Sequence, residues 1–120
     1  MLLFSKFKLL GTRIENLIDP KVPSIFTKVV VDAENSVEVI CLHPRPPRPS
    51  EGDSDQRDGE LVKIAGYVEK RSHEPIAIVG DLNDVAWSPT TRLCRHISGL
   101  LDPRIGRGAF NTFHADFPFL

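Results

Sequence analysis

Asp81 and Asn83 stand one residue apart at the end of the apolar run Ile76-Ala77-Ile78-Val79, which Gly80 closes. A carboxylate can orient or deprotonate a water, and an amide can hold an anionic intermediate or fix the carboxylate. On an extended segment, side chains two apart point the same way, so the pair is expected to face one ligand. Placing both groups at the mouth of a buried strand is costly unless a ligand, a metal or a hydrogen-bond partner satisfies them. The competing reading is a polar turn of the kind that follows many strands. A calcium loop is excluded, because Val85 and Ala86 occupy positions where that loop needs a ligand and a glycine.

Two further places carry groups of the right type. His43 falls at the end of the β-branched segment Ser36 to His43 and could donate a hydrogen bond or a proton to a phosphate oxygen. Thr112, in Thr112-Phe113-His114, could contact a phosphate, and His114 could ligate or stack. Against these stand a structural histidine at a strand end and an aromatic core segment with a surface histidine. His73 and His96 have no companions at metal-ligand spacing and read as surface residues.

These groups need elements to hold them. The run Pro75 to Val79 suits a strand buried on both faces, and Gly80 allows the tight turn that follows. Met1 to Leu10 alternates imperfectly and reads as a strand, with a loop at Gly11. Arg13 to Pro23 is ambiguous, and Pro20 and Pro23 forbid a long helix there. Ser24 to Ala33 and Ser36 to His43 are β-rich and separated by turn residues, which predicts an antiparallel hairpin. The proline-rich stretch from His43 to Pro49 is an extended connection. Ser54 to Arg71 is the best helix, with Leu61, Ile64, Ala65 and Val68 on one face. Ser88-Pro89 starts a second helix with a capping hydroxyl and a first-turn proline, Leu93 and Ile97 lie one turn apart in it, and Gly99 ends it.

The chain has 120 residues, which fits at most one domain. Its net charge of −1 argues against binding nucleic acid over the whole surface by electrostatics, although arginine pairs such as Arg45 and Arg48 leave local patches. Cys41 and Cys94 sit in apolar patterns and read as buried thiols, from which no compartment follows. No stretch is long and apolar enough to cross a membrane. The tail from Phe110 holds four phenylalanines and is expected to pack on something.

Together these segments resemble the endonuclease/exonuclease/phosphatase superfamily, the deoxyribonuclease-I-like phosphoesterases. The resemblance rests on Leu42-His43-Pro44, then Pro46-Pro47, a helix containing Arg57-Asp58-Gly59-Glu60-Leu61, and Gly80-Asp81-Leu82-Asn83-Asp84. Val85-Ala86-Trp87-Ser88 and the region from Ser98 to Arg107 look like a bacterial branch of it. The resemblance implies an α/β (α+β) fold, part of a four-layer α/β/β/α sandwich with mixed, largely antiparallel sheets. It implies that Asp81 activates or orients the attacking water, that Asn83 holds the phosphate or its transition state, that His43 touches the scissile phosphate, and that Thr112 binds substrate. A phosphodiester substrate follows, with nucleic acid among the candidates, and Mg²⁺ or Mn²⁺ is expected for the complete domain. No residue before His43 matches the family's metal-binding glutamate, and the family's final Asp-His pair lies beyond the matching part. The expectation is therefore a partial domain lacking those two strands, weak or inactive alone. A binding or scaffold role through the proline-rich loop or aromatic tail is the alternative, with no specific protein partner implied.

Overall fold

The computed structural model describes residues 1–46, 53–103 and 105. In chain order the elements are β1 (Leu9–Asn16), β2 (Pro23–Val30), β3 (Ser36–Leu42), α1 (Asp53–Glu69), β4 (Ile76–Gly80) and α2 (Pro89–Ser98). The strands form one sheet in the order β1-β2-β3-β4. The β1–β2 and β2–β3 pairs are antiparallel, whereas β3–β4 is parallel. The mixed, largely antiparallel character expected from the sequence is present, as is the β2–β3 hairpin. The parallel pair is made by the β3–α1–β4 crossover, the only kind of connection that brings two strands round in the same direction.

Strand alternation sorts the side chains by face. Phe26 stands opposite Ile40, and Ile40 opposite Ile78, so these three share a face. Helix α1 covers that face with Leu61, Ile64 and Val68, all at 2% exposure or less, and Leu17 and Leu42 complete the cluster. The helical spacing read from the sequence thus names the residues that form the core. Burying side chains of this size contributes about 1.5–3 kcal/mol each, which makes this layer the main source of cohesion. Helix α2 packs beside α1 and adds Cys94 to the cluster's margin.

Glu38 is buried on the same face at 5% exposure. It lies on β3 where α1 ends, and the Tyr67 hydroxyl donates to its Oε1 at 2.8 Å while Arg13 Nη1 stands 3.4 Å away. The Arg13 guanidinium is stacked over the Phe26 ring, 4.3 Å from its centre, and Phe26 meets Tyr67 edge-on at 5.5 Å. A charge that is taken out of water is tolerable only with such partners.

Three sequence expectations change. The first strand begins at Leu9 rather than Met1, and Gly11 lies inside it, at φ +59°, where the β1–β2 register shifts. A left-handed glycine at a shifted register is a bulge rather than a loop. Lys6 and Lys8 break the alternation before it, and Leu2 and Phe4 are left more than 80% exposed. Strand β4 is half-buried rather than covered on both faces, with Ile76 to Ile78 partly buried and Val79 at 44% exposure. In α2 the buried residue is Ser98, Cys94 packs at the core's margin, and Leu93 is exposed at 46%. Cys41 and Cys94 are free thiols, and burial pushes both up from the ordinary thiol value.

Candidate active site

The parallel ladder ends at the pair Leu42–Gly80. The next residues in the chain are His43 and Asp81, so both follow the same end of the ladder. Gly80 is required for the close approach of the two strands there. Its φ is +133°, and a Cβ there would lie 1.9 Å from the Leu42 carbonyl oxygen. No side chain fits, because the obstacle is backbone of the neighbouring strand.

Beyond Gly80 the chain does not stay extended. The Asn83 N–H donates to Asp81 Oδ1 at 3.0 Å, and Asn83 adopts φ +49°. Asparagine tolerates this left-handed conformation better than most residues. Asp81 and Asn83 are therefore joined through a turn closed by the carboxylate, and not by alternation along a strand. Asp81 is exposed, and Asn83 is half-buried.

The Asn83 side chain reaches across to the other strand. Its Nδ2 donates to the Pro44 carbonyl at 2.8 Å. That bond fixes which end of the amide is nitrogen, since a carbonyl accepts and cannot donate. One N–H of Asn83 is committed to Pro44, leaving the second N–H and Oδ1 for a ligand. Because Pro44 directly follows His43, the same bond ties the histidine segment to the aspartate turn. His43 itself is exposed. Thr112 and His114 lie outside the described residues.

Two residues to which sequence reading gave no role hold this turn. Arg57, on α1, donates from Nη1 to the Asn83 carbonyl at 2.9 Å. Asp84, with a side chain 5% exposed, accepts from the Val85 N–H at 2.9 Å, the Thr91 hydroxyl at 2.9 Å and the Ser88 hydroxyl. Ser88 in turn caps α2, accepting from the Thr91 N–H at 3.0 Å, as Ser88-Pro89 predicts. One sequence feature points to Arg57. A cation near a helix start is opposed by the macrodipole and needs some compensating contact. On the far side of His43, Arg45 pairs with Asp19 at 2.7 Å, and near Asp19 the buried Glu60 keeps Oε2 without a partner. Burial pushes the Glu60 carboxyl up from its ordinary value, a backbone bond from Asp19 opposes this, and the Asp19 carboxylate adds to the rise.

Among the described residues no three His, Cys, Asp or Glu side chains gather as metal ligands. Asp81 and Asn83 supply one carboxylate and one amide oxygen, and the aspartate already accepts from Asn83. Mg²⁺ demands near-octahedral oxygen coordination and is commonly held by one or two carboxylates together with waters or phosphate. The described residues alone do not make its site.

The family model for the endonuclease/exonuclease/phosphatase family matches residues 1–120. The chain belongs to that family. Among solved structures it is similar to sphingomyelinase C from Streptomyces griseocarneus, at 13% identity and a TM-score of 0.62, over 82% of this chain and 38% of that one. It is also similar to beta toxin from Staphylococcus aureus in a β-hairpin deletion mutant, at 22% identity and a TM-score of 0.51, over 66% of this chain and 30% of that one. A doubly substituted beta toxin with bound magnesium ions is similar at 23% identity and a TM-score of 0.51, over 66% of this chain and 29% of that one. The family member described here therefore spans less than two-fifths of the chains it resembles. No curated protein matches it. Its mixed sheet with helices agrees with the α/β class expected for the family. No helix among the described residues is long and apolar enough to cross a membrane.

Proposed function

We propose that this chain forms the central part of a phosphodiester hydrolase domain, with His43, Asp81 and Asn83 around the phosphate. Water attacks phosphorus in line, the P–O bond to the leaving group breaks, and the departing oxygen takes a proton from solvent. Asp81 orients the water and draws its proton, the free N–H of Asn83 donates to a phosphate oxygen, and His43 donates to another. Thr112 is a further phosphate contact in this reading. Magnesium, bound in one of the similar toxin structures, is the ion expected for the whole domain, and its ligands would come from outside the described residues. The observation that carries the reading is the bond from Asn83 Nδ2 to the Pro44 carbonyl, which binds the histidine segment and the aspartate turn into one unit.

The test is hydrolysis of bis(4-nitrophenyl) phosphate with Mg²⁺ by this chain, by a version extended at both ends, and by the Asp81→Ala variant of each. The extended protein is expected to be the most active. Asp81→Ala in that extended background should cost about 10²–10⁴-fold, the size of a general base contribution. Equal rates in all of them would refute the assignment.

A further inference from the structure

We infer that Arg57 is a positioning residue for this site: its guanidinium holds the Asn83 turn in the conformation that presents the amide and the Asp81 carboxylate. The inference rests on the roles proposed above for Asp81 and Asn83. Arg57 lies on α1, the crossover helix, yet its side chain is spent away from the helix face that builds the core. It is 11% exposed. Nη1 donates to the Asn83 carbonyl at 2.9 Å and stands 3.7 Å from Asp84 Oδ1. Nε and Nη2 both donate to Asp58 Oδ1, at 3.0 and 2.8 Å.

The Asn83 carbonyl is the right place to hold. Asn83 is the single non-glycine residue with positive φ among the described residues. Such a backbone is uphill for any side chain and persists only where surroundings determine it. Three ties do so from three elements: Pro44 after β3 takes the side-chain amide, Arg57 of α1 takes the carbonyl, and Asp84 anchors the exit to α2. Arg57 and Asp84 can each be altered without touching a proposed catalytic group, and of the two it is Arg57 that bonds the Asn83 carbonyl itself. Asp58 orients the guanidinium from the other side, so the fork is used as a fork. A lysine ammonium is a single point and cannot reproduce both directions.

The experiment is NMR on the ¹⁵N,¹³C-labelled chain, comparing Arg57→Ala, Arg57→Lys and Asp58→Ala. In Arg57→Ala, the Asn83 Cα and Cβ shifts should lose their left-handed signature, and exchange at the Asn83 N–H should quicken about tenfold or more, as for loss of a charge-assisted hydrogen bond. Core amides such as Ile64 should keep their protection, which separates positioning from general loss of stability. Arg57→Lys should lie nearer to Arg57→Ala than to the native chain, and Asp58→Ala should fall between Arg57→Ala and the native chain. Millimolar guanidinium should restore the Asn83 signature in Arg57→Ala. Unchanged Asn83 shifts in both Arg57 variants would overturn the inference, as would a change at Asn83 matched by equal loss of protection at Ile64. If Arg57→Ala does not fold, Arg57→Lys decides by the same two readings. None of these readouts requires turnover. An extended protein whose hydrolysis is unchanged by Asp81→Ala, in a chain that shows this pattern, would remove the catalytic roles and leave the positioning intact.

Discussion

The sharpest test of the site's architecture is Gly80→Ala. A Cβ at this position would meet the Leu42 carbonyl oxygen at 1.9 Å and the Leu42 carbonyl carbon at 3.0 Å. Ordinary carbon–oxygen contacts are about 3.3 Å, so the two strands must move apart by about 1.4 Å. Parallel ladder bonds at that point would stretch beyond the range in which they count as bonds. Losing one or two of them costs about 1 kcal/mol each, and an L-residue at φ +133° adds about 1–3 kcal/mol of strain. The total is about 2–5 kcal/mol, a large share of the roughly 5–15 kcal/mol that holds a domain together. With a urea slope of about 1.5 kcal/mol per molar, the unfolding midpoint should fall by about 1.3–3.3 M. Equilibrium urea unfolding followed by far-ultraviolet circular dichroism measures this directly. A loss below about 1 kcal/mol would mean that the Gly80 backbone is not held against Leu42, and the reasoning that puts Asp81 and His43 at one end of the ladder would go with it.

Three other outcomes follow from the same contacts. Tyr67→Phe removes the hydroxyl that donates to buried Glu38 and should cost about 1–3 kcal/mol in the same unfolding assay, with little change in the far-ultraviolet spectrum. Glu60 has its folded-state value raised, so it holds its proton in the folded chain where the unfolded chain has already released it. Stability should therefore fall as pH rises from about the ordinary carboxyl value through the raised one, and urea midpoints across that range should show Glu60→Gln with a flatter profile. Ser88→Ala removes the α2 cap and one partner of Asp84, which should cost about 1 kcal/mol and raise hydrogen exchange in the first turn of α2 before it does so in α1.

The parts of the molecule that follow a repeating pattern were legible in the sequence. Leu61, Ile64, Ala65 and Val68 share a helical face because 3.6-residue spacing puts them there, and all four are buried. Ser88-Pro89 and Gly99 mark the ends of α2 because their backbone preferences are local. Strand β4 shows where pattern stops being informative. Its four apolar residues suit a strand covered on both faces, but exposure depends on which neighbours arrive, and Val79 remains 44% exposed. The site divides in the same way. Gly80-Asp81-Leu82-Asn83 can be recognised by type and spacing, whereas the hold on Asn83 cannot. Arg57 and Asn83 are 26 residues apart in the chain, and Asn83 and Pro44 are 39 apart. Only the crossover brings them together, and the contact with Pro44 uses a backbone carbonyl that every residue type possesses.

The parallel pairing of β3 with β4 also sets a timetable. Leu42 and Gly80 are register partners separated by the whole of α1. Closing a flexible loop of that length costs about 3 kcal/mol of chain entropy before any ladder bond forms. The hairpin of β2 and β3 needs no such wait. During synthesis, His43 therefore emerges well before the strand that pairs beside β3. The Asp81 turn reaches that end of the sheet only once α1 has emerged and turned the chain back, so bringing these residues together waits on the longest loop closure among the described strands.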